Sequence, residues 1–400
     1  VILFINSDIT APNGSLSTMT GSNDNSSWDG TFTPTTNTED ATNVLELRVN
    51  TYTDLAGNNG PSATTVNYQV DTLAPTVSSI VISGTVIKNN FFNTGDNVSL
   101  TANFSESVIV DNASGTPTLT FVVGSTNRTA TYTSGDNSTA LVFKYTVVAG
   151  DTDTDGISIG TNPIALNSGT IKDAAGNNAT LTHSAVSSNS SYKVDTTPPT
   201  VSSLAIDSAT YDQNNFLNAG DEASLITTFS ESVNVTDTPQ LTLLIGEDNR
   251  TSTYTSGDGT TALVFKYTIQ AGDNDTDGIS IGANVLALNS GTIQDLAGNN
   301  ATLTHSAVSA NSSFMVDTTA PTVSTFTLSD TQLLIGETAT VGLDFSEEVI
   351  LFTNSDITLA NGTLATMTTS DNTTWSGIFT PTPNREDDTN TLTLQGGANT

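Results

Sequence analysis

The sequence predicts an all-β protein built from several modules in tandem, and two observations carry this prediction. The first is repetition, because residues 1–53 recur with small changes at 348–400. The second is a period of two in the apolar residues: the segment VSLTANF at 98–104 alternates apolar and polar side chains, as a strand with one buried face does. No apolar pattern of useful length has the period of an α-helix.

The string Val-Asp-Thr, followed closely by proline, recurs at residues 70, 194 and 316 and divides the chain. We predict two near-duplicate long modules, which share TALVFKYT and AGNNATLTHSAVS, and two partial short modules. The four modules span 1–69 (short, without its first strands), 70–193 (long), 194–315 (long) and 316–400 (short, without its last strands). A complete short module of about a hundred residues suits an immunoglobulin-like β-sandwich. Prolines in the linkers favour an extended array.

The composition restricts the class of partner. Nine Lys plus Arg against 41 Asp plus Glu give a formal charge of −32, which excludes nucleic acid and attracts cations. The absence of cysteine excludes disulfides and thiolate metal sites, so a bound hard cation is the natural substitute as a stabiliser. No stretch has the apolar length of a membrane span, so we expect no membrane insertion in this region.

Strand parity places three acidic signals at one pole of each long module: the linker, the residue after the second strand and the loop before the last strand. Carboxylate and amide oxygens in such a set suit Ca²⁺, which takes six to eight oxygen ligands. In the first long module the set is Asp71, Glu106, Asp173 and Asn177, and in the second it is Asp195, Glu231, Asp295 and Asn299. Each short module carries half of a set, with Asp54 and Asn58 at the start and Asp317 and Glu347 near the end.

A second candidate is the loop after the LVFKYT strand, which reads GDTDTDG at 150–156 and GDNDTDG at 272–278. Alternate aspartates followed by glycine have the spacing of a calcium loop, although position twelve is Asn162 or Asn284 instead of Glu. Parity puts this loop at the far pole, facing the next linker. The candidate ligands are Asp151, Asp153 and Asp155, with Asp273, Asp275 and Asp277 in the duplicate. For both candidates the alternative is a hydrophilic turn in which Asp and Asn bond their own backbone.

We predict no enzyme. His183 and His305 are one duplicated position without a partner nucleophile or a second histidine, so a structural role is expected. Arg128 and Arg250 are expected to make surface or cross-strand pairs.

Several motifs together resemble the bacterial immunoglobulin-like repeats of giant secreted adhesins: VDTTAPTV, the strand ending in FSE, FTPT, the ED-x-TN segment and DLAGN. The long modules, with TALVFKYT and AGDTDTDGISIG, also resemble repeats of a giant cyanobacterial swimming-motility surface protein. The resemblance covers essentially the whole chain. It implies sandwiches in series, an extracellular or cell-surface location, and calcium between domains at Asp71, Glu106, Asp173 and their duplicates.

The leading hypothesis is a structural extender, or stalk, of a large repetitive adhesin that acts in adhesion or biofilm and is stiffened by calcium. Its partners would be neighbouring modules or copies of the same protein, and a host or matrix surface through domains outside this sequence. The alternative is a subunit of a self-assembling extracellular filament or surface layer. A second alternative is a carbohydrate-binding module, for which no aromatic platform stands out.

Overall fold

The computed structural model describes residues 4–85, 88–210 and 213–395. This part of the chain contains β-strands and two short 3₁₀ helices, Asn6–Asp8 and Asn354–Asp356. Its strands form tandem immunoglobulin-like β-sandwich modules, so the predicted fold class is confirmed. None of the described helices has the length and apolar character needed to cross a membrane.

The first module has nine short strands. They are β1 (Ile9–Thr10), β2 (Gly14–Leu16), β3 (Thr20–Gly21), β4 (Trp28–Asp29), β5 (Phe32–Pro34), β6 (Glu39–Asn43), β7 (Glu46–Leu47), β8 (Ala63–Thr64) and β9 (Tyr68–Asp71). Among its described residues Val70 is the one buried hydrophobic side chain. The described residues of this module include no counterpart of the second strand of a complete module.

The second module has longer strands in two layers. They are β10 (Val77–Thr85), β11 (Phe91–Phe92), β12 (Asn97–Asp111), β13 (Thr118–Val123), β14 (Thr126–Ser134), β15 (Ser138–Thr146), β16 (Thr152–Asp153), β17 (Ile164–Ala165), β18 (Thr170–Lys172) and β19 (Lys193–Asp195). The larger sheet has the order β10-β12-β15-β14-β13-β17, and the smaller has the order β11-β19-β16. Alternate residues of β12 are buried from Val98 to Phe104, as the period of two predicts.

The third module repeats this topology. Its strands are β20 (Val201–Thr210), β21 (Phe216–Leu217), β22 (Glu222–Thr236), β23 (Gln240–Ile245), β24 (Asp248–Ser256), β25 (Thr260–Thr268), β26 (Asn274–Asp275), β27 (Leu286–Ala287), β28 (Thr292–Gln294) and β29 (Met315–Asp317). Val194 belongs to the core of the second module and Val316 to that of the third. The Val-Asp-Thr strand therefore closes the module before it, two residues beyond the predicted ends at 193 and 315.

The fourth module combines first strands with the repeated segment. Its strands are β30 (Val323–Leu328), β31 (Ala339–Phe345), β32 (Ile357–Thr358), β33 (Gly362–Leu364), β34 (Thr368–Thr369), β35 (Thr374–Pro381) and β36 (Thr393–Leu394). A small core forms between β31 and β35, where Val341, Leu343 and Phe379 are buried.

Candidate metal centres at the module junctions

Three carboxylates meet where the first module joins the second. Asp71 ends β9, Glu106 lies in β12, and Asp173 follows β18. One carboxylate oxygen from each residue lies within 4.8 Å of the other two. A register shift in β12 between Asn103 and Val108 accompanies the place where Glu106 leaves the sheet. The structure thus brings these three residues to one pole, as strand parity predicts.

The same arrangement occurs where the second module joins the third. Oxygens of Asp195, Glu231 and Asp295 also lie within 4.8 Å of one another. In both clusters one aspartate comes from the last strand of the preceding module, and the other two residues come from the following module. Each cluster therefore spans a linker.

Asp173 is held in place by its own loop. Its Oδ1 accepts hydrogen bonds from the backbone N–H groups of Gly176 at 2.7 Å and Asn177 at 2.8 Å, and its Oδ2 accepts one from Asn177 Nδ2 at 2.7 Å. Gly176 has a φ of +98°, a conformation that glycine adopts without strain. The carboxylate is buried and fixed before any ligand binds.

The two glutamates have a different environment. No hydrogen-bond donor of the described residues contacts the carboxylate of Glu106 or of Glu231. Burial raises the pKa of Glu106, and the negative charges of Asp173, Asp71 and Glu39 raise it further. Like charges this close repel one another and disfavour ionisation of all three carboxyl groups. A cation bound in the cluster would neutralise this negative charge.

The predicted role of Asn177 and Asn299 as amide-oxygen ligands is not what the structure shows. Asn177 donates from Nδ2 to the backbone oxygen of Asp71 at 3.2 Å, as well as to the carboxylate of Asp173. Asn299 donates in the same way to the backbone oxygen of Asp195 at 3.0 Å. These amides tie the linker to the following module, and their nitrogen atoms face the carboxylates.

The two half sets lie apart on the short modules. Asp54 accepts bonds from the backbone N–H and Nδ2 of Asn58 at 2.9 and 2.8 Å, which reproduces the turn at Asp173. Burial, followed by the charge of Asp317, raises the pKa of Glu347, and Oε1 of Glu347 is buried without a hydrogen-bond partner. In the described part of the chain no cluster joins the two halves.

The aspartate loop at the far pole begins with an ion pair. Arg128 donates from Nε to Oδ1 of Asp151 at 2.6 Å, and the Tyr145 hydroxyl donates to Oδ2 at 2.7 Å. The Asp151 side chain is fully buried. Burial, followed by the hydrogen bond to Asp151, raises the pKa of Tyr145 to about 12. Arg250 makes the same bond to Asp273 and also forms a surface pair with the exposed Asp248 at 3.1 Å, so a surface pair occurs at Arg250 beside a buried one that was not predicted.

The rest of this loop is also occupied by protein donors. Asp153 accepts the backbone N–H groups of Gly124 and Gly156, both at 2.8 Å, and Asp155 accepts the Ser188 hydroxyl at 2.9 Å. Each carboxylate of this loop thus has a donor from the protein, and among the described residues neither this loop nor its duplicate contains a group of three possible metal ligands. This geometry does not support the calcium-loop prediction for Asp151, Asp153, Asp155, Asp273, Asp275 and Asp277. Nor does either loop lend a carboxylate to the next junction cluster.

The loop instead holds the next linker in place through hydrogen bonds. The Thr196 hydroxyl donates to the backbone oxygen of Asp151 at 2.8 Å and accepts the backbone N–H of Gly150 at 3.0 Å. The sequence contains a signal for the ion pair, since each long module has a single arginine at an equivalent position.

Two further contacts at the junctions were not predicted. Lys88 of the second module donates from Nζ to Oε1 of Gln294 in the third at 2.9 Å, and Asn89 donates to the backbone oxygen of Leu296 at 2.9 Å. At the first junction Glu39 lies opposite Asp71 in the pairing of β6 with β9. The second junction therefore has direct contacts between modules, and the first has an additional carboxylate.

The short modules have recognisable relatives. Residues 1–70 and 317–400 match the family model of the bacterial immunoglobulin-like domain. The match falls on the two short modules and supports the resemblance to bacterial immunoglobulin-like repeats. No curated protein matches the chain.

Proposed function

We propose that these modules form a stalk segment of a bacterial cell-surface or extracellular protein, in which Ca²⁺ at each junction fixes one module against the next. One observation carries the proposal: each three-carboxylate cluster takes one aspartate from one module and two acidic residues from the next. A cation bound by all three would restrict the linker. Domains of the matching family are typically non-enzymatic, which agrees with a structural role.

The chemistry of the clusters favours a hard divalent cation. All three acidic side chains of each cluster offer carboxylate oxygens, and oxygen ligands of this kind bind Ca²⁺ at about 2.3–2.6 Å. Backbone carbonyls and water would supply the remaining ligands. Since Asp173 is held by donors from its own loop, little order has to be gained when the ion binds.

Calcium titration of the whole chain tests this proposal. Scattering and calorimetry are measured in EDTA and after calcium is added, on the natural chain and on the variant Glu106→Gln/Glu231→Gln. We expect calcium to raise the melting temperature and to lengthen the particle in the natural chain alone. Equal dimensions and equal melting temperatures in EDTA and calcium would overturn the proposal.

A carbohydrate-binding role has little support in the described residues. Trp28 packs against Phe4 with ring centroids 5.1 Å apart, and Trp375 packs against Phe352 at 5.0 Å. These indole rings take part in packing within the short modules, so neither offers an open platform for a sugar.

A further inference from the structure

The second and third modules share one topology, but their cores differ at aligned positions. Strand register fixes the alignment: Ala102 of β12 pairs with Leu141, and Thr227 of β22 pairs with Leu263 in the same place. Both Ala102 and Thr227 are fully buried. Differences between aligned core residues therefore bear directly on the relative stability of the two modules.

Three buried apolar side chains are smaller in the third module. In the second and third module respectively they are Phe92 and Leu217, Phe121 and Leu243, and Val98 and Ala223. Two positions change in the other direction, each by one methylene, and they are Val123 and Ile245, and Val147 and Ile269. The third module thus has the smaller apolar core, which lowers its stability through lost burial.

Two aromatic contacts of the second module disappear with these changes. The ring of Phe121 meets that of Tyr145 edge-on, with centroids 5.2 Å apart, and Phe92 stacks on Tyr192 at 6.1 Å. The third module has a leucine in place of each phenylalanine. Because aromatic pairs stabilise a core beyond the area that they bury, their loss adds to the loss of size.

The third module also buries two hydroxyl groups where the second has alanine. The hydroxyl of Ser252, which replaces Ala130, donates to the backbone oxygen of Leu241 at 2.7 Å. Oγ1 of Thr227, which replaces Ala102, has no hydrogen-bond partner among the described residues. A buried hydroxyl without a partner has lost its hydration and gained nothing in exchange, so Thr227 destabilises the third module.

The first strand of the third module is less regular than that of the second. β20 shows two register shifts against β22, one after Val201 and one after Ile206, whereas β10 shows a single shift against β12, after Val77. β20 has ten residues and β10 has nine, so the second shift accommodates an extra residue. A shift of this kind interrupts the ladder of hydrogen bonds.

We propose that the third module opens before the second when the chain is heated or stretched, and that the unpaired hydroxyl of Thr227 and the smaller core set this order. In the proposed stalk the third module is then the part that lengthens first under load, while the second keeps its fold. This role under load rests on the proposed function, whereas the order of opening follows from the two cores.

Hydrogen exchange followed by mass spectrometry tests the order of opening. The whole chain is measured in EDTA and mild denaturant, and the reporter segments are 118–123 of β13 and 240–245 of β23, whose sequences differ. We expect segment 240–245 to exchange about tenfold faster, because it opens with the less stable module. Thr227→Val removes the unpaired hydroxyl with little change in size, so it should slow exchange in 240–245 about fivefold and leave 118–123 unchanged.

Thr251→Val, at an exposed threonine of β24 in the same module, is the matched control and should leave both segments unchanged. If segment 240–245 exchanges no faster than 118–123, the proposed order is overturned. If Thr227→Val exchanges like the natural chain, or if Thr251→Val slows exchange as much, the buried hydroxyl is overturned as a cause.

Stretching single molecules of the whole chain in EDTA tests the role under load. We expect the two long modules to unfold at different forces, and Thr227→Val to raise the lower force alone. An unchanged lower force with a raised upper force would overturn the order. Equal forces in a chain whose exchange follows the proposed order would overturn the role under load. Both measurements are made without calcium, so neither outcome depends on the junction sites.

Discussion

The two poles of a long module use the same residue type in opposite ways. At the linker pole Glu106 has no hydrogen-bond donor among the described residues and lies beside Asp71 and Asp173. At the far pole the buried Asp151 is fully engaged by Arg128 and Tyr145. The glutamate of the linker pole thus lacks the donors that satisfy Asp151, whereas Asp173 in the same cluster is held by donors of its own loop.

The two poles therefore also stabilise the module in different ways. The far pole depends on an internal ion pair, which is complete without any ligand. The linker pole has excess negative charge, which destabilises the fold until a cation binds. The same module should therefore be sensitive to calcium at one pole and insensitive at the other.

The largest expected effect comes from breaking the far pole. Arg128→Ala would leave the buried Asp151 without its cation, and losing one partner of a buried pair costs about 3–5 kcal/mol of unfolding free energy. Denaturant unfolding of the chain measures the loss. Lys144→Ala, an exposed position of β15, is the control and should change little. An Arg128→Ala chain as stable as the control would show that the two poles do not differ in this way.

The next prediction concerns Glu106→Gln, whose effect on the stability of the second module should be opposite in EDTA and in calcium. Glu106→Gln removes one negative charge, so we expect the second module to be slightly more stable in EDTA. The same variant should lose calcium stabilisation, which amounts to about 2.7 kcal/mol when the ion is at a hundred times its Kd. Calorimetry with and without calcium follows both. A variant that gains as much from calcium as the natural chain would contradict the cluster as a site.

The pH dependence should separate the poles further. Burial foremost, and then the neighbouring carboxylates, raise the pKa of Glu106 and Glu231 above their ordinary value of 4.5. A raised pKa gives stability that is fully present below the unfolded value and is lost as pH rises through the folded one. In EDTA the contribution of these two glutamates to stability should therefore be lost as pH rises above the ordinary value of 4.5, and Glu106→Gln/Glu231→Gln should lack this loss. An equal fall in the melting temperature of both chains would exclude the glutamates as the cause.

The smallest effect is expected at Asp155. Its side chain is exposed and accepts one bond from Ser188, so Asp155→Asn should change the unfolding free energy by less than about 0.5 kcal/mol. Calcium affinity should stay the same in isothermal titration. A clear loss of calcium binding in Asp155→Asn would restore the calcium-loop interpretation and remove the contrast between the poles.

The architecture was predictable because it depends on local patterns. The alternation from Val98 to Phe104 gives the buried face of β12, and strand parity then brings Asp71, Glu106 and Asp173 to one pole. Repetition marks the modules. These features follow from the order of residues and the period of a strand.

The hydrogen-bond donors that approach the acidic residues could not be predicted from the same patterns. Arg128 reaches Asp151 across 23 positions, and Lys88 reaches Gln294 across 206. The spacing of aspartates in a loop says how they alternate, but it does not say which groups approach them. Likewise, composition does not reveal which atom of the Asn177 amide faces the carboxylates.

The parallel pairing of β11 with β19 gives each long module a direction of mechanical resistance. Phe91 and Phe92 lie beside Lys193 and Val194 with the chain running the same way, and β21 and β29 repeat this in the third module. The last strand continues directly into the next linker, so tension along the array pulls β19 lengthwise past its neighbour. Its hydrogen bonds lie across that direction and are loaded together in shear instead of opening one after another.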